Sequence, residues 1–98
     1  MFEQRIDIDR MEQAVVLFGN FDENIKLIEK EYNVNILGRG SEIKVSGEPE
    51  DVAKAVRTID SLLVLINRGE LLSEQNVRYC ISLVNEGSED KIETLAED

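Results

Sequence analysis

Between Leu17 and Gly47 the apolar pattern of the chain changes its period, and this switch restricts the fold more than any other feature. Ile25, Ile28 and Tyr32 stand at i, i+3 and i+7, with Leu27 beside them, which is the stripe of an amphipathic helix. Directly afterwards Val34 and Ile36, then Ile43 and Val45, alternate with other residues as half-buried strands do. The two runs are joined by Gly38-Arg39-Gly40-Ser41, where glycine supplies the positive φ that a hairpin requires. A tight loop, Gly19-Asn20-Phe21-Asp22, feeds the helix. Loop, short helix and hairpin in immediate succession must share one core, and that combination predicts an α+β fold.

The flanking segments complete the pattern. Ile6 and Ile8 alternate with Asp7 and Asp9, predicting a short strand over Arg5 to Ile8. Asp9 as N-cap, with Glu12 near the first-turn amides, starts a brief helix whose apolar side is Met11, Ala14, Val15 and Phe18 and which stops at Gly19. Asn20 or Asp22 caps the second helix; Asp22 and Glu23 in its first turn and Lys30 near its end suit the helix macrodipole, and Asn33 breaks it. Ser46-Gly47-Glu48-Pro49 ends the hairpin and starts a third helix, Pro49 fitting the first helical position because its missing N–H has no partner there. Val52, Ala55, Val56, Ile59, Leu62, Leu63 and Ile66 form the broad apolar face of that helix, which Arg68 and Gly69 close. A fourth helix follows Ser73 as N-cap and carries Val77, Cys80, Ile81 and Val84 before stopping at 85–87. The expected order is β-α-α-β-β-α-α, a three-stranded antiparallel sheet with helices packed on one face. Val64 and Leu65 do not fit the same face as Ile59 and Ile66. Either the fourth helix covers them, helped by Leu71 and Leu72, or they form a contact for another subunit or domain.

Composition sets the outer limits. With 98 residues the chain makes one domain, burying roughly 60–70% of the surface its unfolded form exposes. Three Phe, two Tyr and no Trp leave the packing to aliphatic side chains. The net charge of −10 repels phosphate backbones and anionic membrane surfaces, so any contact with nucleic acid has to act locally against the field of the whole molecule. Cys80 is the one cysteine and there is no histidine, which rules out an internal disulfide and the usual zinc constellations. Met1 to Asp7 lack the apolar core of a signal peptide and no run approaches the ~20 apolar residues of a membrane span. The expectation is a cytoplasmic protein with no membrane contact. From Glu86 onward six acids face Lys91 alone, so the folded unit is expected over 1–85, with 86–98 an acidic linker toward a further domain.

Several stretches together carry a family resemblance. Phe18-Gly19-x-x-Asp22-x-x-Ile25-Lys26-x-Ile28, then Glu31-Tyr32-Asn33-Val34-Asn35-Ile36, Ile43-Lys44-Val45-Ser46-Gly47 and Val52-Ala53-Lys54-Ala55-Val56 resemble a KH domain over Ile6 to Ile66. In such a domain a G-x-x-G loop brings backbone to the phosphates of a single strand, and the following helix and a strand form a groove for about four bases. The resemblance implies contacts from the loop residues Gly19, Asn20 and Phe21, with Phe21 stacking on a base, and a basic lining from Lys26, Lys30, Arg39 and Lys44. The bland alternative is a solvated lysine face with Phe21 packed inward. Here the second glycine of the loop is Asp22, followed by Glu23, and two acids within a Debye length of ~8 Å oppose phosphate.

A narrower resemblance extends over nearly the whole chain. Leu17-Phe18-Gly19-x-x-Asp22-Glu23-Asn24-Ile25-Lys26-Leu27-Ile28-Glu29, the run Arg39 to Gly47, and Arg68-Gly69-Glu70-Leu71-Leu72 leading into Val77-Arg78-Tyr79 look like the N-terminal region of PhoH-like (phosphate starvation-inducible) proteins. That resemblance implies a following P-loop ATPase domain linked to RNA metabolism, with Asp22 part of the family's own pattern. The chain itself has no G-x-x-x-x-G-K-[ST], and Gly38-Arg39-Gly40 is too short and reads as a turn. Asp7 with Asp9, and Asp22 with Glu23, have no partner base, and Cys80 has no histidine to activate it. No catalysis and no cofactor are expected of this stretch; ATP and Mg would belong to the downstream domain. The expected function is that of an accessory domain binding single-stranded RNA weakly, with its own C-terminal ATPase domain and further copies of itself as partners. A second reading is a protein-interaction or oligomerisation module that binds no RNA.

Overall fold

Three strands and four helices follow one another in the expected order: β1 (Phe2–Asp7), α1 (Met11–Phe18), α2 (Glu23–Tyr32), β2 (Asn35–Arg39), β3 (Glu42–Gly47), α3 (Pro49–Asn67) and α4 (Glu74–Glu86). The structure, a computed structural model, describes residues 1–8, 10–19, 22–70 and 72–88, with the backbone alone at Met11. The expectations resting on Asp9, Asn20, Phe21, Leu71 and 89–98 lie outside the described residues.

The sheet has the order β1-β3-β2 and is antiparallel throughout. Ile6 faces Ile43 and Ile36 faces Val45 across the ladders. Because side chains alternate along a strand, Ile6, Ile36, Ile43 and Val45 enter the core from one face. Glu3, Arg5, Asp7, Leu37, Arg39, Glu42 and Lys44 are among the residues at the alternate positions, on the open face. α3 lies along β1 and β3, α2 meets β2, and α1 and α4 pack against both α2 and α3. Leu17, Ile25, Ile28, Ile43, Ile59 and Leu62 are fully enclosed, each contributing about 1.5–3 kcal/mol through removal of apolar surface from water. Val64 and Leu65 pack against this core together with Leu72. Among the described residues no helix is long and apolar enough to cross a membrane.

Local chemistry accounts for the element ends. Pro49 occupies the start of α3, and the Ser73 hydroxyl accepts from the Asn76 amide at 3.2 Å to cap α4. Asn33 takes a left-handed conformation at φ 55° and turns α2 directly into β2. The Ile36 amide, on the outer edge of β2, donates to the Glu29 carboxylate at 2.8 Å, tying that edge back to α2. The Tyr32 hydroxyl donates to Asn85 Oδ1 at 3.0 Å and receives the Thr58 hydroxyl at 3.3 Å, joining α2, α3 and α4 at one buried point.

Two expectations are corrected. β1 begins at Phe2 rather than Arg5, because β3 offers ladder partners as far as Gly47, beyond the reach of the apolar alternation. The first helix has Arg10 at its N-cap, with no side-chain cap bond, and it is its inward face that departs from expectation. Its inward arc is Gln13, Ala14, Leu17 and Phe18, while Val15 is 71% exposed. Apolar periodicity placed Val15 inside, yet it is the polar Gln13 that turns inward, where its amide donates to Asn67 Oδ1 at the end of α3.

Candidate nucleic-acid interface

At both ends of the connection between α1 and α2 the backbone has positive φ. Gly19 has φ +73° and Asp22 has φ 59° and ψ 26°. An L-residue meets its own carbonyl there, and Asp and Asn are the side chains that bear this best. Asp22 therefore keeps the backbone a glycine would adopt while adding a charge. Its carboxylate makes no capping bond to the first-turn amides of α2, and both it and Glu23 are exposed.

Gly19 is required for space as well. A Cβ there would stand 2.8 Å from Asn24 Nδ2, whose amide donates to the Val16 carbonyl at 3.3 Å. Asn24 is 2% exposed, so a buried polar side chain closes the C-terminal end of α1 and seats the loop. On the far side the Phe18 ring rests over Gly38 of β2, where a Cβ would come within 2.5 Å of Cζ. The loop is thus anchored to α2 by Asn24 and to the sheet by Phe18.

The predicted residues fall into two groups. Gly19, Lys26 and Lys30 belong to the loop and α2; Lys26 and Lys30 line a recess of about 320 Å³ with Leu27, Glu23 and Glu74. Arg39 and Lys44 lie on the open face of the sheet, around a recess of about 400 Å³ whose lining includes Arg5, Leu37 and Glu42. Asn20 and Phe21 lie outside the described residues. Arg5 was missed by sequence reasoning; its alternation with Ile6 was the signal, but only the strand register puts it opposite Lys44.

Few groups depart from ordinary titration. Burial pushes the Cys80 thiol up to about 11 and raises the Asp60 carboxyl, so Cys80 is a protonated core residue rather than a nucleophile. Among the described residues no three His, Cys, Asp or Glu side chains gather to hold a metal ion.

No protein-family model matches the chain. A PhoH-like protein of Bacillus subtilis is 40% identical over 87 residues, which is 89% of this chain and 27% of the relative. PhoH-like proteins of Mycobacterium tuberculosis and Mycobacterium leprae are 35% identical over 96 residues and 36% over 86, covering 96% and 87% of this chain. The chain spans about a quarter of the length of these relatives, 27% and 25% respectively. By this kinship the chain belongs with the PhoH-like proteins, as a domain homologous to about a quarter of their length.

Proposed function

We propose that the chain is a KH-like accessory domain at the N-terminal end of a larger PhoH-like ATPase and that it contacts single-stranded RNA weakly. The observation that carries this reading is the left-handed conformation of Asp22, at φ 59°. At the position of the second glycine of a G-x-x-G turn, Asp22 keeps the positive φ that glycine favours. In this reading the backbone from Gly19 to Asp22 meets phosphate, Phe21 stacks on a base, Lys26 and Lys30 steer the strand, and hairpin residues between Ile36 and Val45 meet bases. ATP and Mg belong to the ATPase domain expected elsewhere in the protein. Here Gly38 and Arg39 are strand residues and Gly40 a turn residue, with no helix N-terminus behind them to cradle phosphate.

Binding of a short single-stranded RNA, titrated against salt, tests the reading. A unit charge ~8 Å from a phosphate contributes about 0.5 kcal/mol in water, so Asp22→Gly is expected to tighten binding roughly twofold at low salt. Lys26→Glu is expected to weaken it by more, since it both removes an attraction and adds a repulsion. No binding at low salt, with no gain from Asp22→Gly, removes the RNA reading.

A second reading has its own support. Val15 is 71% and Val16 37% exposed on α1, and Val16 borders a recess of about 490 Å³ with Ile66, Arg10 and Glu12. This apolar ridge suits docking to the rest of the protein or to a second copy. Sedimentation at several concentrations tests it: self-association abolished by Val15→Asp supports the module reading, and a strict monomer removes oligomerisation.

A further inference from the structure

We infer that the open face of the sheet is a second contact for a nucleic-acid strand, a phosphate-binding patch formed by Arg5, Lys44 and Arg39. Three strands bring these residues together. Arg5 of β1 stands directly opposite Lys44 of β3, and Lys44 opposite Leu37 of β2. Arg39 lies two residues beyond Leu37, on the diagonal from Lys44, at about 7–8 Å. All three border the same recess of about 400 Å³, where Glu42 is the one acid.

Two features set this patch apart from an ordinary solvated face. Like charges directly opposed across a ladder repel, and Arg5 and Lys44 are so opposed. The acids that moderate it sit on diagonals: Glu3 reaches Lys44 Nζ at 3.1 Å and Glu42 reaches Arg5 Nε at 3.7 Å, with all four side chains at least 38% exposed. Such pairs are weak and open to exchange. Arg39 makes no ion pair among the described residues. The other feature is contrast with the rest of a molecule carrying −10. The recess beside α2 sets Lys26 and Lys30 against Glu23 and Glu74, whereas three cations and Glu42 line the recess on the sheet, with Glu3 and Asp7 farther along the same face.

A repeating phosphate backbone suits three cations spread over a flat sheet. A lipid surface does not, because among the residues lining the recess Leu37 is the single large apolar side chain, too little to anchor in a bilayer. The patch is on a different face from the Gly19 loop, and either contact can fail alone.

The test is fluorescence anisotropy of a short labelled oligouridylate with the full chain at several KCl concentrations. Three phosphate contacts on a single strand give a log–log salt slope of about −2. Arg39→Ala is expected to weaken binding roughly two- to fivefold and to reduce the slope by about 0.7. Arg5→Ala/Arg39→Ala/Lys44→Ala is expected to reduce the slope by about 2, well beyond the roughly 0.7 that Lys26→Ala removes. Glu42→Gln is expected to tighten binding, a gain that no loss of folding produces. If the triple variant melts early by circular dichroism, Arg39→Ala and Glu42→Gln decide alone. A triple variant that is folded and binds with the wild-type slope overturns the inference and leaves the loop reading standing. Absence of wild-type binding at low salt, or binding to phosphatidylserine vesicles in its place, overturns it as well.

Discussion

Replacing Asp22 by glycine and by alanine separates its backbone role from its charge. Both substitutions remove the same carboxylate from the first turn of α2, so any macrodipole contribution, about 0.3–1 kcal/mol, is lost equally. Neither breaks a capping bond, since Asp22 makes none. What differs is the backbone at φ 59° and ψ 26°. Alanine there meets the full left-handed penalty of about 1–2 kcal/mol. Glycine escapes it but releases more freedom in the unfolded chain, offsetting about 0.4–1 kcal/mol. The expected order is Asp22→Gly more stable than Asp22→Ala by about 1 kcal/mol, read from urea unfolding followed by far-ultraviolet circular dichroism, the chain having no Trp to report. In a right-handed helical turn the order reverses, alanine exceeding glycine by about 1 kcal/mol. An alanine variant equal to or more stable than the glycine variant therefore refutes the left-handed conformation of Asp22 and the likeness to a glycine at that position.

Three further outcomes follow from the same packing. Asn24→Ala removes the donor to the Val16 carbonyl and vacates the space beside Gly19, with an expected loss of about 1–3 kcal/mol in urea unfolding. Tyr32→Phe deletes the hydroxyl that joins α2 to Asn85 and Thr58, costing about 0.5–1.5 kcal/mol by the same measurement and raising hydrogen exchange in α4 before other elements. Cys80, buried and pushed up to about 11 from an ordinary 9.0, stays protonated in the fold while the unfolded thiol ionises. Its contribution is complete below pH 9.0 and lost as pH rises toward about 11; the difference between wild type and Cys80→Ala in urea midpoint should shrink across that window.

The strands and helices were legible because their apolar residues keep a clean period: Ile25, Ile28 and Tyr32 on α2, Ile36, Ile43 and Val45 in the hairpin, all buried as expected. Pro49 and Ser73 mark helix starts through local chemistry that needs no tertiary contact. What the pattern hid are inward polar side chains. Gln13 and Asn24 are buried through partners on other elements, Asn67 and Val16, and no periodicity of apolar residues points to them. Taking Val15 as inward followed from the same blindness, since α1 is only eight residues long and two apolar arcs fit it equally. Asp22 was legible as a replaced glycine but not as a retained conformation, because only the backbone distinguishes the two. The basic residues could be read one by one, yet their grouping depended on register: Arg5 comes to Lys44 only once β1 and β3 are aligned.

Amide chemical-shift mapping by NMR, with the 98-residue chain and a short oligouridylate at low salt, tests the central claim most directly. The account predicts shifts in two places, around Gly19 and Asp22 to Lys26 at the loop and around Arg5, Leu37, Arg39 and Lys44 on the open sheet. A spectrum that does not move, or that moves only around Val15 and Val16 on α1, contradicts it.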